Sequence, residues 1–317
     1  MSYAQFGLIQ ATDFNTFVGG NPTTTSNTLN AVWATGGSSA GYGQTAVANV
    51  AVGNTVVATG QWNALVSNTA NAASHQGSSI TAVTAPTSGG TVTYISAIPT
   101  NLTTIYTNKL NAASQGSTTS NTATYGSTWS SGLTFTFTAT FSSGDAARYF
   151  FNAGGQLKLT CSHPSGTGIN LLLNNLASNV GTVVMSAPSS GSVTIASTSY
   201  NGITKIGGGG NTPTIVATNG YYALTTSNAT VFTQTASTGP SGYLATNIKA
   251  IVKSNGTQGT NGDAGSVVTI YCTWTEIPTG LVASSGSSCT ITAVPPETTY
   301  LPTAISAPTL AGSVTGA

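Results

Sequence analysis

Between Leu133 and Phe141 the chain alternates without a break, with Leu133, Phe135, Phe137, Ala139 and Phe141 on one side and Thr134, Thr136, Thr138 and Thr140 on the other. A period of two sustained over this length predicts a half-buried antiparallel strand whose outer face is covered by threonine hydroxyls. Weaker signals of the same kind predict strands at Gln156 to Ser162, near Thr182 to Met185 and Ser192 to Ala196, and at Tyr221 to Thr226, Ala229 to Thr235, Thr246 to Lys253, Ser266 to Thr275 and Ser288 to Val294. Ile251 and Val252, followed by Val268, Ile270, Cys272 and Trp274, suggest a paired hairpin that feeds one hydrophobic layer. Asn201-Gly202, Asn219-Gly220, Asn255-Gly256 and Asn261-Gly262 are hairpin signals, because both central residues of a type I′ turn need positive φ. Short strands between regular turns predict a sandwich or an open sheet.

The N-terminal third follows the helical period instead. Thr12 and Asp13 can cap a short helix carrying Phe14, Phe17 and Val18, which Gly19-Gly20 stops. Ser26 to Trp33 places Leu29, Val32 and Trp33 on one face, and Gln61 to about Ala73 turns Trp62, Leu65 and Val66 inward. Pro99 is suited to open a fourth helix through Leu102, Ile105, Tyr106 and Leu110. Two more short helices are expected, at Ala146 to Asn152 behind Asp145 and at Asn170 to Asn179. The stretch after Gly116, up to Ser131, reads as a loop or boundary. The resulting expectation is a mainly β, α+β chain with antiparallel sandwich-like sheets. It divides into an N-terminal mixed, helical assembly domain (1–116), an antiparallel β domain with short helices (117–277), and an extended C-terminal strand and Pro-rich tail (278–317). A tail punctuated by Pro295, Pro296, Pro302 and Pro308 rarely folds alone and is expected to drape over a neighbouring surface.

Composition changes the picture by subtraction. Six Lys and Arg and five Asp and Glu make only 3% of 317 residues charged, and the formal net charge is +1. Six basic residues cannot neutralise many phosphates, so nucleic acid is not an expected partner. Hydrophobic residues at 39% and a mean hydropathy of +0.14 separate the chain from disordered sequences, which are poorly hydrophobic and highly charged. Ser and Thr, roughly three residues in ten against a lower usual background, supply the polar surface instead. A near-neutral hydroxyl surface has little colloidal repulsion and favours association. The longest apolar runs are too short to span a membrane. Met1 to Gln5 lacks the basic and apolar regions of a signal peptide, so synthesis in a cytoplasm without export is expected.

Candidate chemistry is sparse. Cys161, Cys272 and Cys289 show no CxxC and no His at metal-ligand spacing, which indicates neither a disulfide framework nor a zinc site. Cys161 alternates with Leu157 and Leu159, and Cys272 with Ile270 and Trp274, so both read as small core residues. Each of the five carboxylates has a local explanation. Asp13 and Asp145 lie at helix N-termini, Asp263 in a turn, and Glu276 and Glu297 precede or follow prolines in loops, so a carboxylate-pair hydrolase is disfavoured. His75 falls at a helix end, where a protonated ring would favour the dipole, and His163 precedes Pro164 in a turn. Gly207 to Gly210 has neither Lys-Ser nor Lys-Thr after it and reads as a hairpin tip rather than a phosphate loop. Asp145 and Arg148 have the spacing of an i,i+3 pair, and Arg148 beside Tyr149 equally suits a contact with a partner chain. No enzyme activity and no cofactor are expected.

Several strings together give the chain a likeness. They are Phe6-Gly7-Leu8-Ile9 with Ala11 to Asn15, Gly41 to Gln44, Gly60-Gln61-Trp62 and His75-Gln76-Gly77, then the run from Asp145 to Gly155, Tyr221 to Thr226, the Asn261-Gly262-Asp263 turn, and Val294 to Leu301. In these the chain resembles the virion structural proteins of tailed bacteriophages, particularly those of marine and cyanobacterial phages. The resemblance spans nearly the whole chain and brings no ligand or catalytic residue with it. It implies a tail, neck, baseplate or fibre component, made in the host bacterial cytoplasm and located in the phage particle. Its expected partners are copies of itself, as trimer or hexamer, and other phage structural proteins. Candidate assembly contacts are Phe14, Phe17, Arg148, Tyr149, Pro295, Pro296 and Tyr300. The alternatives are a host-surface adhesin that binds the host envelope, with Tyr125 to Trp129 as its best loop, a capsid decoration protein, and a secreted carbohydrate-active enzyme.

Overall fold

The computed structural model describes residues 11–23, 25–51, 54, 58–87, 96–239, 243–259, 262–275 and 279–316. The string at Phe6 to Ile9, together with Asn261 and Glu276, lies outside them. Helix α1 (Ala11–Val18) ends as expected at Gly19, whose φ of +77° suits glycine. Helix α2 (Leu29–Val32) is a single turn rather than the longer helix expected from Ser26, because Thr28 is still extended at φ −118° and ψ 155°. Helix α3 (Asn63–Gln76) follows a π-helical turn at Ala58–Trp62 and is closed by Gly77 in the left-handed region. Helix α4 (Ala97–Thr107) carries Pro99 in its first turn, where a missing N–H breaks no intrahelical bond. Phe14, Phe17, Leu29, Trp33, Trp62, Leu65 and Leu102 pack into one core, with the Phe14 ring edge-on to Trp62 at 5.4 Å.

The rest of the chain is built from strands. In chain order they are β1 (Thr119–Thr124), β2 (Leu133–Thr140), β3 (Gln156–Ser162), β4 (Thr182–Met185), β5 (Val193–Ile195), β6 (Thr198–Tyr200), β7 (Ile203–Ile206), β8 (Thr214–Ile215), β9 (Ala229–Thr235), β10 (Asn247–Ser254), β11 (Val267–Thr275), β12 (Ser288–Val294) and β13 (Thr309–Gly316). Helix α5 (Gly144–Asn152) lies between β2 and β3, and helix α6 (Ile169–Val180) between β3 and β4. A five-stranded sheet, β1-β12-β3-β4-β7, faces a six-stranded sheet, β13-β2-β11-β10-β9-β8, and the named pairings are antiparallel. Phe135, Phe137 and Ile270 from one layer and Leu157, Leu159 and Ile291 from the other share a single core with α5 and α6. The mainly β, antiparallel α+β fold is the one the hydrophobic pattern predicts.

Four local expectations need correction. β1 runs through the segment read as a loop, because only Ala123 of its six residues is buried, so its polar sequence carries no alternation signal. Tyr221 to Thr226 is not a strand: Tyr221–Ala223 makes a 3₁₀ turn that stacks Tyr221 on Phe151 at 4.5 Å. Asn201-Gly202 closes no hairpin, since β6 pairs with β5 and β7 with β4. Gly202 is needed there because a Cβ would collide with the Pro188 carbonyl and the Gly220 backbone. Finally, the C-terminal tail covers its own chain. β12 sits between β1 and β3, β13 pairs with β2, Leu301 is buried in the helical core, and Gln44 brackets Thr303 with bonds of 2.9 and 2.8 Å.

Candidate functional site

Two buried polar centres organise the molecule. The first joins the helical part to the sandwich. Ser143 caps α5 by accepting the Ala146 N–H at 3.0 Å, and this fixes the face on which Arg148 and Asn152 project. Arg148 is fully buried and donates to the carbonyls of Ala40 at 2.6 Å and Thr35 at 2.7 Å, and to Asp145 Oδ1 at 3.0 Å. Its guanidinium lies 4.7 Å from the centre of the Tyr149 ring. Asn152 donates to Gly41 O at 3.0 Å, and the Tyr222 hydroxyl donates to Ser38 O at 3.1 Å and to Asn152 Oδ1. Gly43 passes close over Tyr149 at φ +68°, where a Cβ would collide with the ring. Burial raises the Tyr222 hydroxyl far above its ordinary value and pushes Tyr221 up to about 12, so both stay neutral, Tyr222 as a donor and Tyr221 accepting the Ala264 N–H at 3.2 Å.

The second centre lies between the sheets. Cys161 on β3 stands directly opposite Cys289 on β12, and Cys272 reaches them from β11 of the facing sheet. Their sulfurs are 3.5, 3.5 and 3.6 Å apart. Cys272 and Cys289 are buried and Cys161 is half-buried. S–H donation from Cys161 and Cys289 lowers the Cys272 thiol, while donating to Cys272 raises Cys161 and burial raises Cys289. The absence of any ligand spacing along the chain hid this group, whose members come from three separated strands.

Beside it, His163 binds Ser287 Oγ through Nδ1 at 2.8 Å and Asn170 Oδ1 through Nε2 at 3.1 Å. This has the outline of a Ser-His-Asn triad, but Ser287 is fully buried and already accepts the Trp129 indole N–H at 3.0 Å, which leaves no approach for a substrate. Trp129 is itself buried, so the Tyr125 to Trp129 loop presents no aromatic cluster of the sort an adhesin tip needs. The described carboxylates are engaged locally: Asp13 lies in the first turn of α1, Asp145 pairs with Arg148, Asp263 lies against Gly144, and Glu297 accepts from Thr299. Gly208 to Gly210 pack on Asn179 at the end of α6, and the Gly207 to Gly210 run is not a hairpin tip, since β7 and β8 lie in different sheets.

The protonated His75 expected from its helix-end position is overturned by desolvation. The ring is buried against Tyr42, with Nε2 3.1 Å from Ala153 O, and burial lowers its pKa to about 4. The unfolded chain therefore binds a proton near the ordinary value of about 6.5, before the folded chain does, and stability falls as pH drops through this window. The full effect is on the order of 3 kcal/mol. His163, lowered chiefly by burial, acts in the same direction. Urea midpoints at about pH 7 and pH 4.5 should show this loss, and His75→Gln should flatten it. An unchanged pH slope in that variant would contradict the assignment.

Of the candidate assembly contacts, Phe14, Phe17 and Arg148 are consumed inside the chain, and Pro296 is buried. Tyr149 and Pro295 are half-buried, and Tyr300 is 41% exposed. Among the described residues no helix is long and apolar enough to cross a membrane. No family model, curated protein or solved structure matches this chain.

Proposed function

We propose that the chain is a non-enzymatic structural subunit of a tailed-phage virion, built into the tail, neck, baseplate or a fibre, and working by symmetric packing against copies of itself and other particle proteins. The resemblance set out above supplies the class of particle. The observation that carries the assembly reading is the chemistry of the outer faces. On the exposed side of the five-stranded sheet, Ser120 meets Thr292 at 2.8 Å and Thr122 meets Thr290 at 2.7 Å, forming hydroxyl ladders where most proteins place charges. Apart from Lys158 on β3, which stands opposite Thr292, this ladder carries no charge that a partner would have to pair, and it has few ion pairs for salt to screen.

The free protein is expected to sediment at micromolar concentration as a trimer, or second as a hexamer, with little change between low and high salt. A stable monomer across a wide concentration range would count against symmetric self-association.

A further inference from the structure

We propose that Cys161, Cys272 and Cys289 form a three-sulfur site for a soft, thiophilic cation, with Cu(I) as the ion that it fits, tying the two sheets of the sandwich together. This stands apart from the assembly reading. All three cysteines of the chain take part, two from the five-stranded sheet and one from the six-stranded sheet. Their edges of 3.5, 3.5 and 3.6 Å form a nearly equilateral triangle. Three sulfurs around one ion in a plane, at a metal–sulfur distance of about 2.3 Å, stand about 4.0 Å apart, so these sulfurs need to spread by about 0.4–0.5 Å to share one ion. A disulfide would instead draw one pair in to about 2.05 Å and leave the third sulfur behind.

Sulfur donors select Cu(I), zinc and iron–sulfur clusters. Zinc asks for four ligands, and among the described residues no other His, Cys, Asp or Glu joins these three. Cys272 lies opposite Phe135 and Ala250, and Cys289 opposite Ala123, so the surroundings are apolar. An ion satisfied by three sulfurs suits this setting. Cu(I) is held by thiolates, so its binding forms three Cu–S bonds as three S–H protons leave to solvent, and loading is therefore favoured by raising the pH. A second observation points the same way. Trp274 lies two residues from Cys272 on the inward face of β11, and its buried Nε1–H has no hydrogen-bond partner of ordinary geometry. An N–H donor beside a metal-bound sulfur is the outer-shell group that such sites use.

The test uses the full chain, refolded without oxygen in the presence of reductant and one equivalent of Cu(I), so that burial does not limit entry. It is then challenged with a Cu(I) chelator. One Cu(I) per chain should be retained, and X-ray absorption of the loaded wild-type protein should show three sulfur neighbours. Loss of an outer-shell group already weakens metal sites by about 10–100-fold, so Cys272→Ala should lower affinity by at least about 100-fold. Cys161→Ser, at the half-buried corner, is the second variant should the first fail to fold. Loss of all copper from the wild type to the chelator, oxygen or nitrogen neighbours in the absorption spectrum, or equal retention by a variant lacking all three thiols would overturn the proposal. So would a disulfide among the three found by peptide mapping of the reduced preparation.

Discussion

Arg148→Met is expected to lower the unfolding free energy by about 3–5 kcal/mol, the range for removing one partner of a buried charged network. Methionine fills much of the same space but donates nothing, so the carbonyls of Ala40 and Thr35 lose donors at 2.6 and 2.7 Å in an enclosed setting. Asp145 suffers less, because its side chain is 45% exposed and water can replace the guanidinium. The main cost therefore falls on the loop from Thr35 to Gly43 that docks the helical part. Arg148→Lys should recover only part of the stability, since one ammonium cannot hold two carbonyls and a carboxylate in the fork geometry of arginine. Denaturant unfolding of the three proteins decides the matter. A loss below about 1 kcal/mol in Arg148→Met would show that the junction is held by apolar packing instead.

Truncating Phe135 or Phe137 to Ala is expected to cost a similar amount, about 3–5 kcal/mol, through lost transfer energy and the cavity left behind. Both rings are fully buried in β2, where Phe135 lies opposite Cys272 and Val314 and Phe137 opposite Ile270 and Gly312. Thr136, between them, is half-buried on the outer face opposite Tyr271 and Ser313. Thr136→Val should therefore change stability by less than about 1 kcal/mol. Unfolding midpoints of the three variants separate the two faces, and a harmless phenylalanine truncation would contradict the register of this strand.

Legibility in the sequence tracked the size of the inward side chains. β2, β3 and β11 place large apolar residues on alternate positions, β12 does so with Cys289, Ile291 and Ala293, and their bounds fall within a residue or so of the pattern. β1 turns only Ala123 inward, and β13 is mostly exposed Thr, Gly and Ser, so neither announces itself. The Asn-Gly rule failed at Gly202, where the glycine answers a close backbone approach rather than a hairpin. For the polar centres, only local geometry was readable. The Asp145–Arg148 pair follows from spacing, but the carbonyl partners of Arg148 lie more than a hundred residues away in sequence. The three thiols meet only because β3, β12 and β11 are brought together by sheet order, which no spacing of cysteines encodes. His75 was misread because its place on the helix is visible in sequence and its burial is not.

The central claim is that this chain is a stoichiometric part of a tailed-phage particle. Quantitative peptide mass spectrometry of gradient-purified particles, from a bacterial lysate in which the chain is produced, tests it most directly. The account expects the chain to band with the particles at a copy number that is a multiple of three or six relative to a symmetric reference protein. Recovery of the chain only in the soluble fraction of the lysate, with none banding with the particles, would contradict it.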